Sequence, residues 1–331
     1  MLLRLIPQEV LPLRAARRTL FARRNSISVT KYGRGAHAER MMTMNDSLSA
    51  RVRSILTKEG VFVLGDDLAE TIRRTSDRLP RAQDVSDDEQ RCPTTLAGIR
   101  ANLDRLFVRH LHQVQESLLL PEAFDRLDEC CKRGAMRIAD IGSGLGAAAM
   151  AAMDVANKTV GMLGGGRGSS LATDIVLNDV SEPALAEGQR MLRSAASRIA
   201  SRLRLRQMVP LSTPFPASAK QLRRIAGMLG PYDFIFMSYS LVSVKEEALY
   251  TEIAGGLRCV TELGEGSTCG IILQDKFHES MARRLAGELG VSCNKVTIRQ
   301  EVHDRSNSNE VQSYTFFRSV LSGKTAPVTV C

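Results

Sequence analysis

The chain has 331 residues, 44% of them hydrophobic and 24% charged, which is enough apolar material for a sizeable core and excludes disorder throughout. The formal charge is +9, yet residues 1–40 hold nine basic side chains against Glu9 and Glu39, a net of +7, so only +2 is left for the body. A body that close to neutral has no overall field with which to bind nucleic acid non-specifically, and any such contact has to come from local patches such as Arg202, Arg204 and Arg206, Arg223 and Arg224, or Arg283 and Arg284.

Residues 1–40 are rich in Arg, Leu and Ala and poor in acids, which predicts a mitochondrial targeting presequence and a matrix location. Arg4 and Pro7 interrupt the only early apolar run, so a secretory signal is not expected. No later stretch approaches the roughly 18 apolar residues that span a bilayer, and no membrane partner is predicted. The seven cysteines form no Cys-x-x-Cys and no pairing with His at metal-ligand spacing, so they read as reduced thiols rather than a zinc site.

Residues 45–134 are predicted to be helical. Apolar positions at helical spacing give two amphipathic helices between Ser47 and Pro80, followed by a polar, acidic loop from Arg81 to Arg91. A long helix then opens at Cys92-Pro93, with Pro93 in its first turn and Leu96, Ile99, Leu103, Leu106, Leu111 and Val114 on one face. Another helix runs from Glu122 to Lys132 and ends at Gly134. From residue 135 to 322 the pattern changes to short apolar runs separated by amphipathic segments, the signature of βα units on a parallel sheet. Strands are expected at Met136–Ile141, Asp174–Leu177, Leu203–Val209, Tyr232–Met237 and Thr268–Leu273, with two more at Ser292–His303 and Val311–Val320. The Asp304–Glu310 connection is too short for a crossover helix, so this last pair is predicted to be antiparallel. The resulting class is α/β, a seven-stranded Rossmann-like sheet of the class I methyltransferase layout, with a helical N-terminal region and a tail at 323–331.

Asp140-Ile141-Gly142-Ser143-Gly144-Leu145-Gly146 follows the first of these strands and opens an Ala-rich helix. Glycines at alternate positions permit a tight turn and close approach of backbone to a ligand. In a methyltransferase site Asp140 would face the amine of S-adenosylmethionine, the turn Gly142, Ser143, Gly144 and Gly146 would accommodate its amino-acid moiety, and Asp179, at the end of the second strand, would take both ribose hydroxyls. Gly142, Gly144 and Ala147 also satisfy the dinucleotide pattern G-x-G-x-x-A, and both fold types use an acid like Asp179. The terminal antiparallel pair and the lack of a second substrate domain favour the methyltransferase. Ser238 and Tyr239, at the end of the fourth strand, are expected to wall the cofactor pocket. No residue there is an evident catalyst, because Asp/Asn-Pro-Pro-Tyr is missing and Cys92, which precedes a proline, belongs to the helical region. The glycine-rich stretch Asn157–Ser170 lacks Gly-Lys-Ser/Thr and reads as a surface insertion.

Four stretches together resemble the mitochondrial small-ribosomal-subunit methyltransferase-like proteins of the Rsm type. Arg91-Cys92-Pro93-Thr94-Thr95-Leu96-Ala97-Gly98-Ile99 is similar to that family's Arg-x-Pro-Ala-Thr-Tyr segment, and Ala139–Gly146, Asn178–Ala184 and Tyr232–Leu241 supply the rest. The family's Glu-Pro-Gly and its cysteine-rich iron-sulfur segment are replaced here by Leu273-Gln274-Asp275-Lys276-Phe277-His278, so no iron-sulfur cluster is expected. The resemblance implies an assembly or structural factor of the mitochondrial small ribosomal subunit, with rRNA, ribosomal proteins and other assembly factors as partners. The alternatives are an active S-adenosylmethionine-dependent RNA methyltransferase of the matrix and a small-molecule methyltransferase.

Overall fold

The computed structural model describes residues 47–58, 61–81, 84–163, 170–200, 202–238, 247–261, 268–275, 279–289, 292–300 and 309–318. The predicted presequence at 1–40, the tail at 323–331, Tyr239, residues 164–169 of the glycine-rich stretch and most of the 304–310 connection lie outside them.

Helices α1 (Leu48–Leu56) and α2 (Asp66–Arg78) form where apolar spacing places them. Between them sits an antiparallel pair, β1 (Thr57–Lys58) and β2 (Val61–Phe62), too short to leave any periodicity in the sequence. The segment 81–91, predicted to be all loop, ends in helix α3 (Asp87–Arg91). Ser86 caps it by accepting from the Glu89 N–H, and three acids occupy its first turn, where the helix dipole favours them.

The long helix predicted to open at Pro93 instead begins at Leu96, with Thr95 as its N-cap, and Pro93 stands outside it. It runs as α4 (Leu96–Asn102), a π-helical turn (Leu103–Phe107) and α5 (Val108–Leu118). The wider turn shifts the phase of the buried face, so that Phe107 enters the core while Leu106 is half-buried; Leu96, at the first position of α4, is 47% exposed. Helix α6 (Pro121–Arg133) starts on a proline and stops at Gly134, whose φ of 76° lets its N–H reach back to the Cys130 and Cys131 carbonyls.

The sheet-forming part contains β3 (Ala135–Ile141), α7 (Ala147–Met162), β4 (Leu171–Asn178), α8 (Glu182–Arg198), β5 (Leu203–Leu211), α9 (Ala219–Leu229) and β6 (Phe234–Ser238). It continues with α10 (Glu247–Thr261), β7 (Thr268–Asp275), α11 (Glu279–Leu289), β8 (Ser292–Gln300) and β9 (Asn309–Arg318). Helix α7 extends through Met162, so Asn157–Met162, predicted as part of a surface insertion, is helical. The strand order is β5-β4-β3-β6-β7-β9-β8. The first five strands are parallel, and β9 inserts antiparallel between β7 and β8.

Two apolar layers cover the sheet. One joins the N-terminal helices to α7 and α8, and the other is built from α9, α10 and α11. Helix α7 is enclosed almost all round, with an unbroken buried run from Ala148 to Asn157. Its one buried carboxylate, Asp154, accepts a 2.8 Å bond from Gln115 on α5.

At the amino end of the sheet Asp233 is 1% exposed and takes charge from two arginines of α6. Its Oδ1 accepts from Arg126 at 2.6 Å, Arg133 donates to both oxygens, and Oδ2 accepts from the Arg137 N–H at 2.8 Å. The carboxylate thereby fastens α6 to the starts of β3 and β6. Asp233→Ala removes the buried counter-charge of Arg126, leaving it only the exposed Glu129 at 2.8 Å, and urea unfolding is expected to show a loss of about 3–5 kcal/mol. A loss below about 1 kcal/mol contradicts that role.

Candidate cofactor site

The site lies where strand order reverses. From β3 the chain builds outward through β4 to β5 and then returns to the other side of β3 with β6, and ligands of open parallel sheets settle in the crevice at the carboxyl ends of such strands. Gly142, Gly144 and Gly146 carry φ of 67°, 50° and 76°, left-handed values at which any side chain is strained. These three residues turn β3 directly into α7. The carbonyl of Asn178 at the end of β4 accepts from Gly142 N–H at 2.7 Å and from Ser143 N–H at 3.0 Å, which ties the turn to the neighbouring strand. Gly188 lets α8 pack onto this turn, since a Cβ there would lie 2.9 Å from the Leu145 carbonyl oxygen.

Asp140 is 1% exposed and points one oxygen at the new helix, where Oδ2 accepts from the Ala149 N–H at 3.2 Å. Among the described residues its Oδ1 is buried without a partner. Burial pushes its pKa up to about 7; the Ala149 N–H offsets part of this and the charge of Asp179 adds to it. Asp179 is half-buried and already engaged, with Oδ2 accepting from Gly144 N–H at 2.8 Å and Oδ1 from Ser181 N–H at 2.9 Å. It is therefore a tether of the glycine turn as well as an acid at a strand tip. Ser143 Oγ, and Ser238 Oγ at the end of β6, are likewise buried and unpartnered among the described residues. Tyr239, also expected at this wall, falls outside them.

Cys92 is the residue that sequence reasoning set aside. The Cys92-Pro93 segment is carried to the end of β4, where the Ser181 hydroxyl, which also caps α8, donates to the Pro93 carbonyl at 2.5 Å. The Cys92 thiol is exposed at this edge, and partial burial of its sulfur pushes its pKa upward, with the charges of Asp179 and Asp88 adding to the shift. Glu89 holds the segment in shape by accepting from the N–H and hydroxyl of both Thr94 and Thr95. Burial works against its ionisation, but these four bonds outweigh it and keep the carboxyl below its ordinary value. Gly98 is required beneath it, because a Cβ there would meet Glu89 Oε1 at 2.2 Å. The signal for this placement was the Arg-x-Pro segment itself, whose docking partner lies 88 residues away.

The residues present fit S-adenosylmethionine. A Cβ built on Gly144 meets nothing within 4 Å, so the turn opens onto free space, and the unpartnered Asp140 and Ser143 oxygens suit an ammonium and a carboxylate. Among the described residues no three metal-ligating side chains gather, and no helix is long and apolar enough to cross a membrane.

The strand order β5-β4-β3-β6-β7-β9-β8, with β9 antiparallel between β7 and β8, is the seven-stranded class I methyltransferase layout expected from the sequence. A scan against protein-family models and a search of curated proteins give no match. Among solved structures the chain is similar to a precorrin-6y C5,15-methyltransferase from Geobacter metallireducens, at 13% identity over 60% of this chain and 89% of the other, with a TM-score of 0.33. It is also similar to a proposed RNA methyltransferase of Pyrococcus horikoshii, at 12% identity over 78% and 100% of the two chains, TM-score 0.34. A third is the small RNA methyltransferase HEN1, at 13% identity over 62% and 27%, TM-score 0.38. Similarity at this level assigns no substrate.

The proximity of Cys92 to Asp179 is open to a chemical test. Asp179→Asn removes a negative charge, which lowers the Cys92 pKa and raises its thiolate fraction, so alkylation of Cys92 by iodoacetamide near neutral pH should accelerate severalfold, as read by peptide mass spectrometry. An unchanged rate at Cys92 contradicts the placement.

Proposed function

We propose that this protein is an assembly or structural factor of the mitochondrial small ribosomal subunit, that it binds S-adenosylmethionine at the Gly142–Gly146 turn, and that rRNA is its nucleic-acid partner. The observation that carries this reading is the docking of Cys92-Pro93 on Ser181. The segment by which the chain resembles the Rsm-type family is bonded to Ser181, which lies two residues after the acid expected to hold the ribose. The resemblance supplies the ribosomal and matrix assignment, and the acid-poor 1–40 segment agrees with import.

In this reading Asp140 faces the cofactor amine, the turn backbone with Ser143 receives the amino-acid moiety, and Asp179 takes the ribose hydroxyls. When bound, the cofactor supplies a sulfonium methyl group. The site side chains supply orientation: the strand ends at Ser238 with Tyr239-Ser240-Leu241 in place of a polar Asp/Asn-Pro-Pro-Tyr, so no group there is assigned as a base. The intact Asp140, Gly142, Gly144, Gly146 and Asp179 set supports a second reading, an active RNA methyltransferase.

Calorimetric titration with S-adenosylmethionine should show binding, and Asp179→Ala should weaken it at least tenfold through loss of two charge-assisted hydrogen bonds of about 1.5–3 kcal/mol each. Absence of binding by the wild type overturns the cofactor assignment. In cells depleted of the protein, small-subunit particles should fall relative to large-subunit particles; unchanged ratios overturn the assembly role. Rescue of assembly by Asp179→Ala marks a scaffold, whereas rescue failure together with loss of an rRNA methyl group marks the enzyme.

Proton linkage gives a separate expectation. The raised pKa of Asp140 means the folded, ligand-free protein holds a proton that the unfolded chain releases near pH 4, so this group lowers stability as pH rises from about 4 to about 7. A ligand ammonium favours the ionised carboxylate, so affinity should move the other way, tightening up to about pH 7 and then levelling. Asp140→Asn should flatten the affinity profile over that window; a persisting slope contradicts the assignment of Asp140 to the amine.

A further inference from the structure

The near-neutral body conceals a strong separation of charge. From Gly188 to Tyr232 the sequence contains nine basic side chains and no acid, so this stretch alone carries +9 while the rest of residues 41–331 carries −7. The fold gathers the stretch at one place. It comprises most of α8, the edge strand β5 and α9, with α8 in the layer over one face of the sheet and α9 in the layer over the other.

Three of the nine charges are used internally. Arg206 pairs with Asp174 on β4, Arg190 with Glu187, and Arg198 with Asp67 at 3.8 Å. The other six, Arg193, Arg202, Arg204, Lys220, Arg223 and Arg224, are exposed and have no carboxylate within ion-pair distance among the described residues. Protection of an open sheet edge explains only part of this. The edge is already blunted by the bulge that leaves Arg206 out of register with β4 and by Pro210. Arg193, Lys220, Arg223 and Arg224 stand on the flanking helices, where they guard no ladder.

We propose that the β5 edge, with the basic faces of α8 and α9 beside it, is a docking surface for the sugar–phosphate backbone of RNA. The partner must be a polyanion long enough to meet charges on both layers, and the reading of the protein as an rRNA-associated factor, on which this step rests, names it. The surface also leads to the cofactor site. Leu211, the last residue of β5, accepts a 3.1 Å bond from the Asp179 N–H, so RNA lying along the edge strand arrives at the mouth of the glycine turn.

The test uses the full chain and a fluorescein-labelled single-stranded RNA, read by anisotropy across a salt series. The wild type should bind with a salt-dependent affinity. Arg193→Gln/Arg204→Gln/Lys220→Gln/Arg224→Gln should bind at least tenfold more weakly and reduce the slope of log K against log salt by about 2 to 3, at about 0.7 per lost phosphate contact. The control Arg51→Gln/Lys58→Gln should retain wild-type affinity. Wild-type affinity in the fourfold variant overturns the edge proposal while leaving RNA association standing; no RNA binding by the wild type at low salt overturns both. Binding to cardiolipin-containing vesicles that the same variant loses, with RNA affinity unchanged, assigns the edge to a membrane surface and also overturns it. Calorimetry with S-adenosylmethionine on the fourfold variant separates these outcomes from a failure of the cofactor assignment, and a fourfold Arg/Lys-exchange variant that keeps the charges should restore RNA binding.

Discussion

The burial of α7 is the constraint from which the rest of the architecture follows. A helix enclosed by a sheet on one side and by α1, α5 and α6 on the other must be narrow and apolar, and its sequence is accordingly a run of Ala and Met with Asp154 satisfied by Gln115. Such a helix has little freedom to shift along its axis, because packed interiors are not continuously deformable. Its amino terminus is therefore a fixed point, and the Gly142–Gly146 turn spans from that point to the end of β3. The helical N-terminal region thus acts on the glycine turn at a distance, by holding the helix whose start defines it.

The two ends of the sheet handle buried carboxylates in opposite ways. At the amino end Asp233 is surrounded by two guanidinium groups and a backbone N–H, and it is fully engaged in holding α6 to the strands. At the carboxyl end Asp140 has one N–H and, among the described residues, an unpartnered oxygen, and its pKa rises to about 7. A structural acid that left an oxygen unpaired at such depth would be a defect, since buried polar groups without partners are costly. Beside the left-handed Gly142–Gly146 turn, the same oxygen is the one that the proposed binding of a cofactor amine would satisfy.

Legibility in the sequence followed the range of the interactions. The βα alternation, the antiparallel final pair and the Asp140–Gly146 turn were readable because each is encoded within a few consecutive residues. The π-helical turn was not, because a one-residue change of phase leaves the apolar spacing of Leu103 to Val114 looking helical throughout. Helix α3 was hidden by its acids, which read as loop until their place in a first turn behind Ser86 is seen. The Asp233 clamp spans 107 residues to Arg126 and leaves no local mark; the docking of Pro93 on Ser181 spans 88, and the Arg-x-Pro segment that marks it does not name its partner. Cys92 was therefore assigned to the helical region, correctly by sequence position, and its place beside Asp179 emerged only from the fold.

Charge distribution links the two surfaces that matter. The acids of the cofactor site suit a cationic ligand and repel phosphate, so an RNA partner gains nothing from the strand tips themselves. The basic residues stand instead along β5 and its flanking helices, and the junction at Asp179 and Leu211 brings the two fields together. In the proposed arrangement a polyanion on the edge would be kept off the acids while its end is presented to them, so that cofactor and RNA would occupy adjacent ground without competing for the same side chains. The net charge of the whole body, close to zero, is the sum of these two opposed regions, and for that reason carries no information about either.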